Sequence, residues 1–282
     1  LYAHGEDAAD FLQSQFSNEL RPFAVGRCTY GLWLDVKGKV QADAWVLQTG
    51  KESFRILSEH CSGAIIRSHL ERHIVADDVE IDASGASICA LTLIGESSSA
   101  WINEQGWPLP ETAQFAEGEG TTVFSGKRSS EPSYEIIFKE EEGIHSAKKL
   151  LEEIGADTVS ESWIEEQRMR IGQPKVPQEL GPEDLPGEAA MVGSAVSLQK
   201  GCFLGQEVVA RMYNVGRPRR GLFILKGLGD PPVVPGQIKT EDGSLVGTVR
   251  SALKIDTHWQ GVAMLKLHRV EEGSVLLFEG NP

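Results

Sequence analysis

The sequence predicts an α+β protein made of antiparallel sheets, with a small antiparallel β-barrel at its C-terminal end. Three observations carry that expectation. Two alternating segments meet across Lys37-Gly38, where glycine supplies the positive φ of a tight hairpin, so the first sheet is antiparallel. Helical and strand-like segments then alternate without the glycine-rich phosphate loop of a dinucleotide fold. Beyond Pro218 only short alternating segments remain, split by glycine, proline and aspartate, which is the pattern of a small barrel.

Taken in order, the chain opens on Gly5-Glu6-Asp7, followed by Ala8, Phe11, Leu12 and Phe16 at helical spacing. Asp7 is placed to cap the free amides of an amphipathic helix that ends near Glu19. Strands are expected over 29–36 and 40–48, and alternation along the second puts Asp43 on the face of Trp45 and Leu47. A carboxylate beside apolar surface is a candidate acid or hydrogen-bond partner, since desolvation disfavours its charged form. An exposed strand residue near a turn is the alternative. A strand at 54–57, a helix through Ile65, Ile66 and Leu70, and strands near 79–81 and 87–94 complete a ferredoxin-like unit. His69 and His73 stand four apart, a spacing that metal ligands use, but no glutamate follows the first histidine as in zinc proteases. Glu71 and Arg72 between them point to a solvated helix face.

Residues 97–120 turn rich in serine, glycine and acidic residues, with Trp101 and Trp107 as anchors, and are expected to form a domain crossing or a long surface loop. Strands near 121–124 and 134–138 precede helices over 144–154 and 160–171, a second α+β unit. Residues 172–188 hold Pro174, Pro177, Pro182 and Pro186, a loop too long and proline-rich for an idle connector. Segments 221–226, 244–250, 261–267 and 274–278 make the strands of the barrel.

Composition bounds the function. A chain of 282 residues exceeds the usual size of one core, so two or three domains are expected. At 40% hydrophobic and 24% charged residues it has an ordinary soluble composition. No apolar run approaches the roughly 18 residues of a transmembrane helix, and no secretory signal opens the chain. It starts at Leu1 rather than Met, which points to a trimmed or incomplete N-terminus. Cys28, Cys61, Cys89 and Cys202 lack the paired spacing of a zinc or iron–sulfur site, which predicts a reduced, cytoplasmic setting and no cluster on a local cysteine motif. The net charge of -14 opposes general nucleic-acid binding. Lys200, Arg211, Arg217, Arg219 and Arg220 are a local exception, suited to a small anion such as a glutamate tail or phosphate, or else a solvated basic rim.

The densest chemistry lies in Lys200 to Arg211, Lys-Gly-Cys-Phe-Leu-Gly-Gln-Glu-Val-Val-Ala-Arg. Gly201 and Gly205 bracket Cys202 in a tight turn. Gln206, Glu207 and Arg211 follow at helical spacing, with Glu207 and Arg211 an i,i+4 pair. A cysteine near Lys200 and a helix start is a candidate reactive thiolate of lowered pKa. A small buried apolar residue is the alternative.

This run resembles the signature of the YgfZ family, folate-binding proteins linked to iron–sulfur cluster maintenance, whose pattern is Lys-Gly-Cys-aromatic-x-Gly-Gln-Glu-x-x-Ala/Ser-Arg. Lys200, Gly201, Cys202, Phe203, Gly205, Gln206, Glu207, Ala210 and Arg211 all match. The opening Gly-x-Asp-Ala with Phe-Leu-Gln-x-Gln, and Leu185-Pro186-Gly187-Glu188-Ala189, are similar to that family's elements too. The hairpin resembles that of the glycine cleavage T-protein, an aminomethyltransferase relative in which a tyrosine and, thirteen positions on, an aspartate contact folate. Tyr30 and Asp43 have that spacing.

The resemblance covers nearly the whole chain and implies three units in a ring around a folate-sized opening. Residues 1–95 with 188–216 would be the ferredoxin-like folate-binding unit, 96–187 the second unit and 217–282 the barrel. It implies tetrahydrofolate or a derivative as cofactor, bound by Tyr30, Asp43, Glu188, Lys200, Gln206, Glu207 and Arg211, with Cys202 and Asp43 as the reacting residues. Lys200 and Arg211 would lower the thiol pKa or hold an anion. One departure stands out: Arg170 occupies a position where many relatives carry a glutamate that touches the pterin. A cation cannot make the same bonds to the pterin's amine donors, and Glu188 is the candidate replacement.

The function implied is a folate-binding accessory factor that assembles or repairs iron–sulfur clusters in client proteins. A folate-dependent aminomethyltransferase or demethylase, in which Asp43 steers the attacking amine, is the alternative; those relatives lack the cysteine. A non-catalytic adaptor with a decayed folate site is a further alternative, which Arg170 keeps open.

Overall fold

The computed structural model describes residues 1–83, 89–118, 120–271 and 273–278. Contacts divide the chain into two compact units, the first of residues 1–13, 19–30 and 44–171, the second of residues 14–18, 31–43 and 172–282. No helix among the described residues is long and apolar enough to cross a membrane.

The chain begins with β1 (Tyr2–His4), α1 (Ala8–Gln15), β2 (Cys28–Leu34), β3 (Val40–Gly50), β4 (Ser53–Leu57), α2 (Gly63–Glu71) and β5 (Glu80–Asp82). Their sheet runs β2-β3-β4-β1-β5. Strands β3-β4-β1-β5, with a helix after β1 and another after β4, follow the ferredoxin-like order, and β2 extends it by one strand. The helix α1 stops at Gln15, short of the expected Glu19. Asp7 does not cap it through its side chain as expected; the carboxylate accepts the Asp78 amide at 2.8 Å and ties down the loop before β5. His69 is buried rather than solvated, and its carbonyl oxygen lies 2.9 Å from His73 Nδ1.

A second sheet follows, from β6 (Cys89–Ile94), α3 (Ser98–Glu104), β7 (Phe115–Gly118), β8 (Thr121–Ser125), β9 (Ser133–Phe138) and α4 (Glu141–Glu153), in the order β6-β9-β8-β7. It repeats the first: a strand, a helix and a three-stranded meander whose last strand pairs antiparallel with the first. Ala3 faces Phe54 in one sheet and Leu91 faces Ile136 in the other. The turn into the helix recurs too. Gly5 and Gly95 have φ of 134° and 125°, and each carbonyl accepts the amide three residues on at 3.1 Å. A Cβ on Gly5 would stand 2.0 Å from the Asp78 carbonyl oxygen, so glycine is required there.

Residues 97–120, expected to be a loop, therefore contain α3 and β7. The serine-rich composition hid a helix that inserts Trp101 and Ile102 into a core with Val123, Ile136, Phe138 and Ala147. Residues 87 and 88 of the strand expected over 87–94 lie outside the described residues. Helix α5 (Glu161–Arg170) closes the first unit, its start capped by Ser160, which accepts the Trp163 amide.

The second unit contains β10 (Arg220–Leu228), β11 (Gly236–Thr240), β12 (Leu245–Ile255), β13 (His258–Lys266) and β14 (Leu276–Phe278), in the order β10-β13-β12-β11-β14. Among the described residues this is an open antiparallel sheet, with β10 and β14 at its edges, rather than a closed barrel. Ile238, Val246, Val249, Ala263 and Leu265 form its core. Strand β11 was not expected because Ile238 is its one apolar residue.

The proline loop is fastened to this sheet by buried charge. Asp184, 1% exposed, accepts the Gly181 amide at 2.9 Å, Arg220 Nη2 at 3.2 Å and both terminal nitrogens of Arg250. Glu179, fully buried, accepts the Lys175 amide and the Ser251 hydroxyl. Burial works to raise the Asp184 pKa, but the Arg250 and Gly181 hydrogen bonds and the charges of Arg250 and Arg220 outweigh it and hold the carboxyl below its ordinary value. The stabilisation is therefore complete above the unfolded-state value, about pH 4, and is lost as pH falls through the lower folded value. Asp184→Ala strands two arginines and is expected to lower stability by about 3–5 kcal/mol in urea unfolding at neutral pH. The difference from wild type should shrink as the solution is acidified below about pH 4.

Candidate functional site

The Cys202 turn is built from contacts within the second unit. Phe16 packs against Trp33 with ring centroids 4.6 Å apart. It can cross the strand because Gly31 has no side chain; a Cβ there would meet the Phe16 ring at 2.7 Å. Ser17 hydrogen-bonds β2 in both directions, its amide to the Leu32 carbonyl and its hydroxyl oxygen to the Leu32 amide, while the hydroxyl donates to the Ala195 carbonyl at 2.7 Å. The Lys200 ammonium, on a residue only 4% exposed, donates to the carbonyls of Phe16 at 2.6 Å and Asn18 at 2.9 Å. The Leu204 amide donates to the Ser14 carbonyl.

The far side of the turn rests on the hairpin tip. Asp35 accepts the amides of Lys37 and Lys39, and its carbonyl accepts Gly38. Gly205, at φ 80°, begins helix α6 (Gln206–Asn214) so close to this tip that a Cβ would lie 2.5 Å from the Asp35 carbonyl oxygen and 2.8 Å from Gly38 Cα. Between these two anchors Phe203 is buried and Cys202 is exposed. Cys28 and Cys61 are buried, and burial pushes the Cys28 thiol pKa up.

The other expected residues fall in separate surroundings. Gln206 is half-buried, while Glu207 and Arg211 are exposed on α6. No ion pair joins Glu207 to Arg211 among the described residues, contrary to the expected i,i+4 pair. Lys200 is spent on backbone carbonyls, so its charge shapes the turn rather than standing open to an anion. Glu188 does not offer a spare carboxylate in place of the one Arg170 displaces. Its oxygens take Arg220 Nε and Nη2 at 2.9 Å each and the Leu185 amide at 2.8 Å. Arg170 is exposed and pairs with Glu166 at 2.6 Å. Asp43 is 5% exposed in β3, which agrees with a carboxylate set against apolar surface and not with a solvated strand residue.

Tyr30 belongs to an aromatic group in the first unit. Its ring lies 5.2 Å from Trp45, which lies 5.3 Å from Phe124. The Lys127 ammonium sits 4.5 Å above the Tyr30 ring and 5.9 Å from that of Trp45, and burial pushes its pKa down. No carboxylate pairs with it among the described residues. The buried indole nitrogen of Trp45 has no hydrogen-bond partner among the described residues. Sequence reasoning missed Lys127, since its only signal is the Gly126-Lys127-Arg128 turn after β8. Tyr30, Trp45 and Phe124 are themselves buried, and the half-buried ammonium over them is the group of this cluster suited to an anion. No cluster of three or more histidine, cysteine, aspartate or glutamate side chains among the described residues could hold a metal.

The pattern of the GCVT N-terminal domain matches residues 1–200. The chain belongs to this family. It is 26% identical over 237 residues, covering 81% of this chain and 69% of the relative, to the tRNA-modifying protein YgfZ of Colwellia psychrerythraea. With the protein of the same name from Aliivibrio fischeri it shares 22% identity over 268 residues, 93% of this chain and 80% of that one. The glycine cleavage system aminomethyltransferase T from Bartonella henselae has the same fold, with a TM-score of 0.83 at 17% identity over 99% of this chain and 78% of that one. The likeness to YgfZ proteins and to the T-protein fold read from the sequence is thereby shown.

Lys200→Met should unfold at lower urea, by about 2–3 kcal/mol, because it strands two carbonyls in the interior. Gly205→Ala should cost at least about 2 kcal/mol through positive φ and backbone overlap. Cys202→Ser, at an exposed position, should stay within about 0.5 kcal/mol of wild type.

Proposed function

We propose that the protein binds a reduced folate and presents Cys202 as a reactive thiol in the assembly or repair of iron–sulfur clusters in client proteins. The observation that carries this reading is the construction around Cys202. A buried lysine and the close approach of Gly205 to the hairpin tip hold a turn whose product is an exposed sulfur. A packing cysteine needs no such support, whereas a thiol that must meet another protein does. The resemblance of Lys200–Arg211 to the YgfZ signature supports the same role.

For the folate, the hairpin residues Tyr30 and Asp43 are the binding groups. A buried carboxylate accepts hydrogen bonds from the pterin's N–H donors, and an aromatic face packs against its ring. Lys127, over the Tyr30 ring, is a cation suited to the carboxylates of a folate tail. When bound, the folate would supply one-carbon or reducing chemistry; the chain's own residues orient it. Gln206 and Glu207 keep the helix start beside the thiol. Arg211, exposed on the same helix, is left as a contact for an anionic client or ligand.

A one-carbon transferase or demethylase using Asp43 is the second reading, favoured by the burial of that carboxylate on a T-protein fold. The two readings part at Cys202, which only the first requires.

Anaerobic calorimetric titration with tetrahydrofolate is expected to show binding that weakens at least about tenfold, or 1.4 kcal/mol, in Asp43→Ala. Cys202→Ser should bind folate as wild type does and fail to restore the activity of an iron–sulfur client in cells lacking the protein. Full rescue by Cys202→Ser would refute the thiol role, and methylenetetrahydrofolate formed from a methylated amine would establish the transferase. Binding that is absent in wild type and appears in Arg170→Glu would make this chain a folate-free adaptor.

A further inference from the structure

The basic run read from the sequence does not act as one cluster. Lys200 is bound to two carbonyls, and Arg220 is clamped by Glu188 and Asp184. Arg217 and Arg219 are different. They line an open depression of about 800 Å³ together with Pro218, Leu267 and His268. Both side chains are exposed and neither has a hydrogen bond or ion pair among the described residues. The backbone beneath is held in register: Arg220 pairs with Lys266, and the Leu267 amide donates to the Arg219 carbonyl at 2.9 Å. Lys266 turns away to the Leu245 carbonyl.

Among the described residues no carboxylate lines this depression, although the chain carries a net charge of -14. Two exposed arginines two residues apart in the same depression, without acidic partners among the described residues, suit a phosphate, which arginine holds through paired N–H donors. Pro218 and Leu267 add an apolar wall that a bare phosphate would not use. A flat ring attached to the phosphate would cover that wall, and a guanidinium plane also stacks on such rings. The volume lies within the range of small-ligand sites. The overall negative charge disfavours a long polyanion held by many contacts, so recognition would rest on one or two phosphates.

We propose that the depression formed by Arg217, Pro218, Arg219, Leu267 and His268 binds a nucleotide, its phosphate on the two arginines and its base against Pro218 and Leu267. The nucleotide comes either free or as part of a single strand of RNA. This site is separate from the folate reading and does not depend on it.

Calorimetric titration of the whole chain at low salt with AMP, with inorganic phosphate and with an oligoadenylate of about eight nucleotides tests the assignment. AMP should bind more tightly than phosphate, and the double variant Arg217→Ala/Arg219→Ala should weaken AMP at least about tenfold while its melting temperature stays that of wild type. Leu267→Ser should weaken AMP while leaving phosphate unchanged. An oligonucleotide affinity above that of AMP, falling with salt by about 0.7 log units per log unit of salt for each phosphate held, assigns the nucleotide to a strand. Equal affinities assign it to the free form. Absence of binding by AMP and oligoadenylate, unchanged binding in the double variant, or phosphate binding as tightly as AMP would overturn the proposal.

Discussion

Burial of the Lys200 ammonium sets the geometry of the second unit around Cys202. An ammonium taken out of water costs several kcal/mol unless its donors are met. Here the carbonyls of Phe16 and Asn18 meet them, at 2.6 and 2.9 Å. Those carbonyls flank Ser17, whose hydroxyl joins Leu32 to Ala195. One charge and one hydroxyl thus tie the chain after α1, strand β2 and the segment before the turn into a single piece. The thiol emerges from a frame with little freedom, so its exposure is a property of the fold and not of a loose loop.

Charge is used in two opposite ways in the same unit. Asp184, Glu188, Arg220 and Arg250 are paired and largely buried, and they fasten the proline-rich loop, which also packs Val176 and Leu180 into the interior. Arg217 and Arg219, three residues and one residue before Arg220, are exposed and have no partner among the described residues. Adjacent arginines therefore divide between holding the fold and facing solvent: Arg220, at the start of β10, meets Glu188 and Asp184, while Arg217 and Arg219 precede the strand and stay exposed. In the first unit Lys127 is intermediate, half-buried over aromatic rings that attract its charge without neutralising it.

Much of the architecture was legible because alternation and glycine placement are local. The hairpin around Gly38, the helices and strands of the first sheet and most strands of the C-terminal sheet follow from periodicity that a single strand or helix displays by itself. Helix α3 was not legible, since Ser98 and its neighbours resemble a loop in composition. Only the repeat of the Gly5 turn at Gly95 betrays it. Strand β11 failed for a related reason: a strand with one inward residue has no period to detect. Among site residues, Cys202 could be singled out from its glycines, and Asp43 from its place between apolar neighbours, but Lys127 carries no local signal at all.

The sequence by itself determined the family, the antiparallel α+β class and the residues able to do chemistry, because these rest on residue identity and short-range spacing. Tertiary structure decided which of those residues are free. Glu188 and Lys200 look like ligand groups along the chain, yet Arg220 lies 32 positions from the one, and the Phe16 and Asn18 carbonyls lie 184 and 182 positions from the other. A hydrogen bond between groups so far apart in sequence leaves no trace in local pattern, and it is such bonds that separate a charge holding the fold from a charge left for a partner.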